Sequence, residues 1–257
     1  MKTFAIGDIH GRYDHLVRLL RRVKKAGGLN FKAGDVLVQL GDRCDRGKDT
    51  FRVNNLFFKL QKRYPDQVIC LKGNHEDMML GAATLTGDKD LFLMNGGGST
   101  VKSYQKRTKN YRGGDKCGNL YFDLIKTGHL DWLMRQPLFY ETDKYFFSHA
   151  PIPKLSHRRG IIAKSSFRQD KNTLIWSYEG EHLHLWIDED PTGEGKICVH
   201  GHIHGIYREG GEYKVPGTRT IGLSNIIDTG CGCAEEGYLT CVDLSTMWCY
   251  NSIKGEA

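Results

Sequence analysis

Within the first 80 residues one pattern occurs three times: a short apolar run, a polar loop that contains glycine, and a helix. Thr3-Phe4-Ala5-Ile6 leads into Gly7-Asp8-Ile9-His10-Gly11, and Asp35-Val36-Leu37-Val38-Gln39-Leu40 into Gly41-Asp42-Arg43-Cys44-Asp45-Arg46-Gly47. Val68-Ile69-Cys70-Leu71 then opens into Gly73-Asn74-His75-Glu76. Leu16, Leu19, Leu20 and Val23 mark the helix after the first loop, and Val53, Leu56, Phe57 and Leu60 the helix after the second, both at i, i+3, i+4, i+7. Repeated strand–loop–helix units predict an α/β fold with a largely parallel sheet, and they bring all three loops to its C-terminal edge, where sites gather. Strand side chains two apart share a face, so Asp8 and His10 point the same way off the first strand. Gly7 and Gly11 allow a sharp turn and a close approach there.

Beyond residue 84 the pattern is less regular. Asn95-Gly96-Gly97-Gly98 reads as a flexible turn and 120–134 as a helix. Strands are expected at 138–141 and 145–147, the second delivering Ser148-His149-Ala150. Periodicity gives no element from 154 to 195. A strand at 196–199 runs into His200-Gly201-His202-Ile203-His204-Gly205, and 225–228, 238–242 and 247–250 alternate like an antiparallel set. With no linker, low-complexity tract or repeat, one domain over 1–257 is expected.

The chain is long enough to bury a substantial core. No secretory pattern and no span-length apolar run is seen, so a cytoplasmic protein without a membrane partner is expected. Eight cysteines, scattered and without a C-x-x-C pair, read as reduced structural thiols, and Cys231-x-Cys233 is a weak metal hint. Part of the net charge of +7 sits in Lys102, Lys106, Arg107, Lys109, Arg112 and Lys116, around Tyr104 and Tyr111. A solvated, mobile loop is the expectation there. No recognition motif accompanies it, so a nucleic-acid partner is not expected, although charge alone does not exclude one.

The loop tips collect Asp8, His10, Asp42, Asp45, Arg46, Asn74, His75, His149, His202 and His204. Carboxylates, imidazoles and one amide, without thiolate, suit first-row divalent ions: manganese first, iron or zinc as alternatives. These ligands are too many for one ion, and a pair of ions about 3.5–4 Å apart would use them all.

The motifs Gly-Asp-Ile-His-Gly, Gly-Asp-Arg-Cys-Asp-Arg-Gly and Gly-Asn-His-Glu, in this order, resemble the calcineurin-like metallophosphoesterases. More narrowly they resemble the phosphoprotein phosphatase branch and its bacterial and phage serine/threonine phosphatases, as do Asn95–Thr100 and Ile227-Asp228-Thr229-Gly230. The resemblance covers residues 3 to about 243. It implies two mixed β-sheets packed as a sandwich flanked by helices, with a dimetal site at the strand C-terminal edge. It further implies that Asp8 and His10 hold the first metal, Asn74, His149 and His202 the second, and Asp42 both. Arg46 would clamp the substrate phosphate beside Asn74, and His75 would be the general acid with Asp45 orienting it.

Two departures stand out. Where that branch carries a phosphate-binding arginine in a Trp-x-Arg-Glu stretch, this chain has Trp176-Ser177-Tyr178-Glu179. Tyr178 can donate one neutral hydrogen bond, and Arg168, or Arg158 with Arg159, is the expected substitute. Gly201-His202-Ile203-His204 matches the Gly-His-x-His of the wider superfamily, which makes His204 a further expected ligand of the first metal. His200, His15, His129, His157, His182 and His184 read as packing or surface residues, Asp228 as a brace or a turn, and Glu76 as support for the start of its helix. The function implied is hydrolysis of phosphate monoesters, on phosphoserine or phosphothreonine proteins and small esters, by attack of a metal-bridging hydroxide. The alternatives are a symmetrical dinucleoside polyphosphate hydrolase, acting on diadenosine tetraphosphate, and a phosphodiesterase of the same superfamily.

Overall fold

Phe4 and Ile6 face one side of the first strand and Ala5 the other, and all three are buried. That double burial places the strand between two apolar layers. The computed structural model describes residues 1–110, 116–152, 166–177, 194–202 and 239–252, with the short strands 208–209, 212–213, 218–221 and 224–227. In chain order the strands are β1 (Thr3–Ile6), β2 (Val36–Gln39), β3 (Val68–Cys70), β4 (Phe139–Glu141), β5 (Tyr145–Ser148) and β6 (Ile197–His200). Then come β7 (Arg208–Glu209), β8 (Glu212–Tyr213), β9 (Thr218–Ile221), β10 (Ser224–Ile227), β11 (Thr240–Asp243) and β12 (Trp248–Asn251). The helices are α1 (Tyr13–Lys25), α2 (Thr50–Arg63), α3 (Asn74–Thr84), α4 (Lys89–Phe92), α5 (Gly98–Thr108), α6 (Lys116–Thr127), α7 (His129–Met134) and α8 (Lys171–Trp176).

One sheet runs β12-β11-β1-β2-β3 and a second β4-β5-β6-β10-β9, while β7 and β8 form a separate hairpin. β1, β2 and β3 are parallel, and so are β5, β6 and β10; β11 and β12 in the first sheet, and β4 and β9 in the second, pair antiparallel. Ala5, Val38, Leu40, Leu71 and Val242 of the first sheet pack against Tyr145, Phe147 and Val199 of the second. The Tyr145 hydroxyl donates across this layer to the Leu244 carbonyl at 2.9 Å. On the far side of the first sheet Phe4, Ile6 and Leu37 meet the apolar faces of α1 and α2 through Leu16, Leu19, Val53 and Phe57. On the far side of the second, Phe146 and Cys198 meet Leu174 and Ile175 of α8. Period-two alternation in the strands thus builds a sandwich with helices outside, as the resemblance implied.

Four local expectations are corrected. Asn95-Gly96-Gly97-Gly98 is not a flexible turn: it carries the chain from α4 into α5 across a kink at Gly96, whose backbone is not helical. Gly96, at φ 94°, offers its carbonyl to the Arg46 amide at 3.2 Å, and a Cβ there would lie 2.9 Å from that nitrogen. The basic segment is helical up to Thr108, with Lys102, Lys106 and Arg107 exposed and Val101, Tyr104 and Thr108 buried. The helix expected over 120–134 is two helices, broken at Gly128 (φ 73°). Within 154–195 the described part includes α8, started by Asp170, whose carboxylate accepts the Asn172 and Thr173 amides.

Candidate metal centre

The loops after β1, β2, β3, β5 and β6 meet because parallel strands end on one edge of each sheet and the edges lie together. His149, just after β5, has Nδ1 2.8 Å from the carbonyl of Leu40, just after β2. His10, Asp42, Asp45, Arg46 and His202 all adopt left-handed backbone, with φ of 44°, 54°, 69°, 61° and 63°. Each costs a non-glycine residue about 1–2 kcal/mol. Interlaced backbone hydrogen bonds offset that cost: the Ile9 and His10 amides donate to Asp42 O, Gly11 N to Arg43 O and Gly47 N to His10 O, each at 2.9 Å.

Glu76 ties the second loop to the third. It is fully buried; Oε2 accepts the amides of Asp42 at 2.8 Å and Gly73 at 3.0 Å, and Oε1 accepts that of Arg43 at 2.7 Å. The sequence reading gave it only a place at the start of α3. Its spacing three residues after the N-cap Gly73 fits a carboxylate that reaches back to the N-cap amide, but its reach to Asp42 depends on β2 and β3 being neighbours.

Asp42 is the hub. Its Oδ2 lies 3.7 Å from His10 Nε2, 3.8 Å from His75 Nε2 and 3.4 Å from His149 Nε2, and its Oδ1 accepts the His75 amide at 3.1 Å. The ligand atoms of His10, Asp42 and His75 lie within 4.8 Å of one another, and so do those of Asp42, His149 and His202. Two candidate groups therefore share one carboxylate. Asp8 Oδ1 lies 3.9 Å from His149 Nδ1 and accepts the His202 amide at 3.3 Å; Asn74 Oδ1 lies 3.0 Å from His149 Nε2. The resemblance groups Asp8 with His10, whereas the tightest packing of ligand atoms groups His10 with Asp42 and His75.

Burial alone would raise the pKa of Asp42, but His149, His75 and His10 hold it well below the usual carboxylate value. Burial pushes Asp8 up to about 8, against the pull of His149. At His10 burial dominates and, with His75 beside it, lowers the pKa far below the imidazole norm, so the ring is neutral as a ligand must be. His149 goes the other way: burial opposes its cation, yet Asp42 and Asp8 raise it to about 9, so ligation there displaces a proton. The rings are already aimed. His10 Nδ1 lies 2.8 Å from the Cys44 carbonyl and His149 Nδ1 2.8 Å from that of Leu40. A Nδ1–H held by a carbonyl leaves Nε2 as the ligand atom. Carboxylates, an amide oxygen and imidazoles set in the ligating tautomer fit small divalent cations.

His75 opens α3 with Nδ1 2.7 Å from Asp45 Oδ2. Asp45 Oδ1 accepts the Thr100 hydroxyl at 2.7 Å, and the Asp45 amide donates to that hydroxyl oxygen at 2.8 Å. Burial works against the charged ring, but Asp42 and Asp45 outweigh it and raise the His75 pKa. Asp45 is itself raised by burial, against the hydrogen bonds from His75 and Thr100. His75 Nε2 lies 3.2 Å from Arg46 Nη2. Sequence reasoning missed Thr100, and no spacing rule finds a partner 55 residues away.

Arg168 does not join this cluster. Its Nη2 donates to Glu141 at 2.9 Å and Glu194 at 2.8 Å, where Lys196 also pairs with Glu141, and its guanidinium lies over Phe146. Both carboxylates meet the same Nη2 of its guanidinium. Tyr178, His204, Arg158, Arg159, His157, His182, His184, Asp228, Cys231 and Cys233 lie outside the described residues. His200 is buried, with burial pushing its pKa down to about 4. His129 is buried under α2 and α5, and His15 Nδ1 lies 3.0 Å from Ser252 Oγ. The described cysteines are free thiols, and no helix among the described residues is long and apolar enough to cross a membrane.

Serine/threonine-protein phosphatase 2 of Salmonella typhimurium (strain LT2) is 26% identical over 240 residues, 90% of this chain and 88% of that protein. Putative serine/threonine-protein phosphatase C22H10.04 of Schizosaccharomyces pombe is 35% identical over 190 residues, 73% of this chain and 50% of that protein. The chain thus spans about half the length of that relative, and 23% and 22% of two further curated phosphatases. A solved cold-active protein tyrosine phosphatase superposes with a TM-score of 0.61 at 19% identity, over 94% of this chain and 73% of that one, and so shares the fold. The family model of calcineurin-like phosphoesterases matches residues 1–217, every loop of the Asp42 cluster included, and the chain belongs to that family.

Proposed function

We propose that this chain is a two-metal phosphatase that hydrolyses phosphate monoesters, on phosphoserine or phosphothreonine proteins and on small esters. The observation that carries the reading is the His75–Asp45 pair beside Arg46, at the rim of two ligand groups that share Asp42. Asp8, His10, Asp42, Asn74, His149 and His202 would hold the metals, manganese first, with iron or zinc as alternatives, and His204 is proposed with them. When bound, the cations supply Lewis acidity, neutralising phosphoryl charge and making water nucleophilic near neutral pH.

The chain's own residues supply the rest. Arg46 offers a planar, charged fork to the phosphoryl oxygens. That guanidinium lies 3.2 Å from His75 Nε2, so a phosphoryl group held by Arg46 sits where Nε2 can protonate the departing alkoxide. A cation so close also argues against a metal at that nitrogen, which favours His75 as acid over ligand. Asp45, held by Thr100, keeps Nδ1–H in place and stabilises the imidazolium. Tyr178 is proposed to add a neutral hydrogen bond to substrate. A cytoplasmic location is consistent with the free thiols.

The test is to give manganese-loaded protein p-nitrophenyl phosphate, its bis-ester, a phosphoserine peptide and diadenosine tetraphosphate. The highest kcat/KM is expected on the monoesters. A preference for the bis-ester would move the reading to a phosphodiesterase, and one for the dinucleotide to a polyphosphate hydrolase.

A further inference from the structure

A cleft of about 470 Å³ opens beside Arg46 and follows the start of α1. A second, of about 430 Å³, shares Asp14, Lys48 and Asp49 with it and continues to Ser99, Lys102 and Lys106 of α5. The two form one groove that leads away from the phosphate clamp. Its walls carry Arg12, Arg18, Lys48, Arg52, Lys102 and Lys106. Among the described residues the carboxylates lining it are Asp14 and Asp49, and both face Arg52, at 3.9 and 3.8 Å. Lys48, Lys102 and Lys106 are exposed, and the ion pairs among the described residues include none of them and not Arg12. Arg12 Nε is buried without a hydrogen-bond partner among those residues.

Two helix starts add to this field. α1 and α2 both begin at the groove, at Arg12 and Asp49, and neither has a side-chain cap on its first amides. The groove is open to solvent and lined largely by charged side chains, so it suits charged groups rather than an apolar ligand. Tyr13, the aromatic ring at the groove, carries the Arg52 guanidinium over one face at 3.9 Å and packs against the core, so it is a poor platform for a base. A nucleotide therefore finds charge here but a poor platform; an extended peptide needs only the charge.

We propose that this groove is a second anion subsite, which selects phosphopeptides bearing another negative charge, phosphate or carboxylate, near the scissile phosphate. The proposal rests on the phosphatase reading above and names the substrate class of that same site. Its reach follows from continuity: Arg46 holds the reacting phosphate and is also one wall of the groove.

The test uses the manganese-loaded full chain and phosphothreonine peptides that differ only in their flanks: neutral, acidic, basic, or carrying a second phosphate. At low salt KM is expected to be about tenfold lower for the acidic and doubly phosphorylated peptides than for the neutral one. That advantage should shrink as ionic strength approaches about 0.5 M. The order of the two favoured peptides tells whether phosphate or carboxylate is preferred. The triple variant Lys48→Glu, Lys102→Glu, Lys106→Glu should erase the preference while leaving kcat/KM on p-nitrophenyl phosphate unchanged. Equal KM for all flanks, or a preference that survives charge reversal, overturns the subsite and leaves the phosphatase reading intact. Absence of p-nitrophenyl phosphate turnover in the wild type counts against that reading instead. The subsite is then decided by fluorescence anisotropy of the doubly phosphorylated peptide: binding lost in the triple variant supports it, and equal binding overturns it. A preference for diadenosine tetraphosphate over every peptide overturns the proposed substrate class.

Discussion

His75 Nδ1 lies 2.7 Å from Asp45 Oδ2, and both side chains are buried. A buried imidazole held by a carboxylate is fixed in one tautomer, with Nε2 turned toward the reacting group. Replacing His75 with Asn should slow hydrolysis of a phosphoserine peptide about 100-fold or more. The loss on p-nitrophenyl phosphate should be much smaller, because p-nitrophenolate departs without a proton. Equal losses on both would exclude His75 as the acid. Asp45→Asn removes one of the carboxylates that raise the ring's pKa. The loss of activity at high pH should then begin at lower pH than in the wild type, with the same metal in both.

Glu76 accepts three backbone amides and lies 3.9 Å from Arg43, which is likewise fully buried. Removing one member of a buried pair leaves the other uncompensated. Glu76→Ala is expected to lower stability by about 3–5 kcal/mol in urea unfolding without metal. A loss under about 1 kcal/mol would mean that other contacts hold the two loops together.

Gly73 and Gly98 make a matched comparison. At Gly73 the backbone is extended, so alanine is conformationally acceptable, but its Cβ would overlap the Asp42 carboxylate. Gly73→Ala should therefore fold yet bind metal poorly, as read by metal content after dialysis. At Gly98, within α5, a Cβ meets nothing within 4 Å. Gly98→Ala should stabilise the chain by about 0.5–1 kcal/mol and leave metal content unchanged.

Chelation should lower Tm. Ions that bind only the folded chain stabilise it by about 4 kcal/mol at a thousandfold excess over Kd. Asp42→Asn, at the shared carboxylate, should abolish that metal-dependent shift. Asp243→Asn, which removes a carboxylate paired with the part-exposed Lys2 side chain at the far end of β1, should preserve it.

His129 supplies a pH dependence independent of the metal centre. The Tyr104 hydroxyl lies 2.8 Å from its Nδ1, and burial pushes its pKa down to about 4. A histidine lowered on folding is kept neutral by the folded state, so its contribution is intact above the unfolded pKa near 6.5. Stability is lost as pH falls from there to 4, by up to about 3 kcal/mol. His129→Gln should flatten that limb in urea midpoints taken at pH 7 and pH 5. An unchanged slope would assign the acid sensitivity to other groups.

Strand periodicity and local motif spacing were enough to find β1, β2 and β3 and the loops that end them, because alternation and Gly-bracketed turns are encoded over a few residues. Asp8, His10, Asp42, Asn74, His75 and His149 were legible for the same reason: each follows a strand end. The role of Thr100 was not legible, since its hydrogen bond to Asp45 spans 55 residues. Nor was the commitment of Arg168 to Glu141 and Glu194, which lie 27 and 26 residues from it. The kink at Gly96 defeated composition, because three consecutive glycines look like a loop until packing on Arg46 fixes their path.

Local spacing in the chain alone determined which elements form and which chemically capable groups sit at their tips. Tertiary structure decided how those tips face one another: left-handed backbone at His10, Asp42, Asp45, Arg46 and His202, one carboxylate shared by two ligand groups, and Glu76 bridging loops. Such backbone is unfavourable residue by residue and persists only where hydrogen bonds from distant segments hold it. No reading of neighbouring residues contains those bonds, because they exist only once the parallel strands have set their ends side by side.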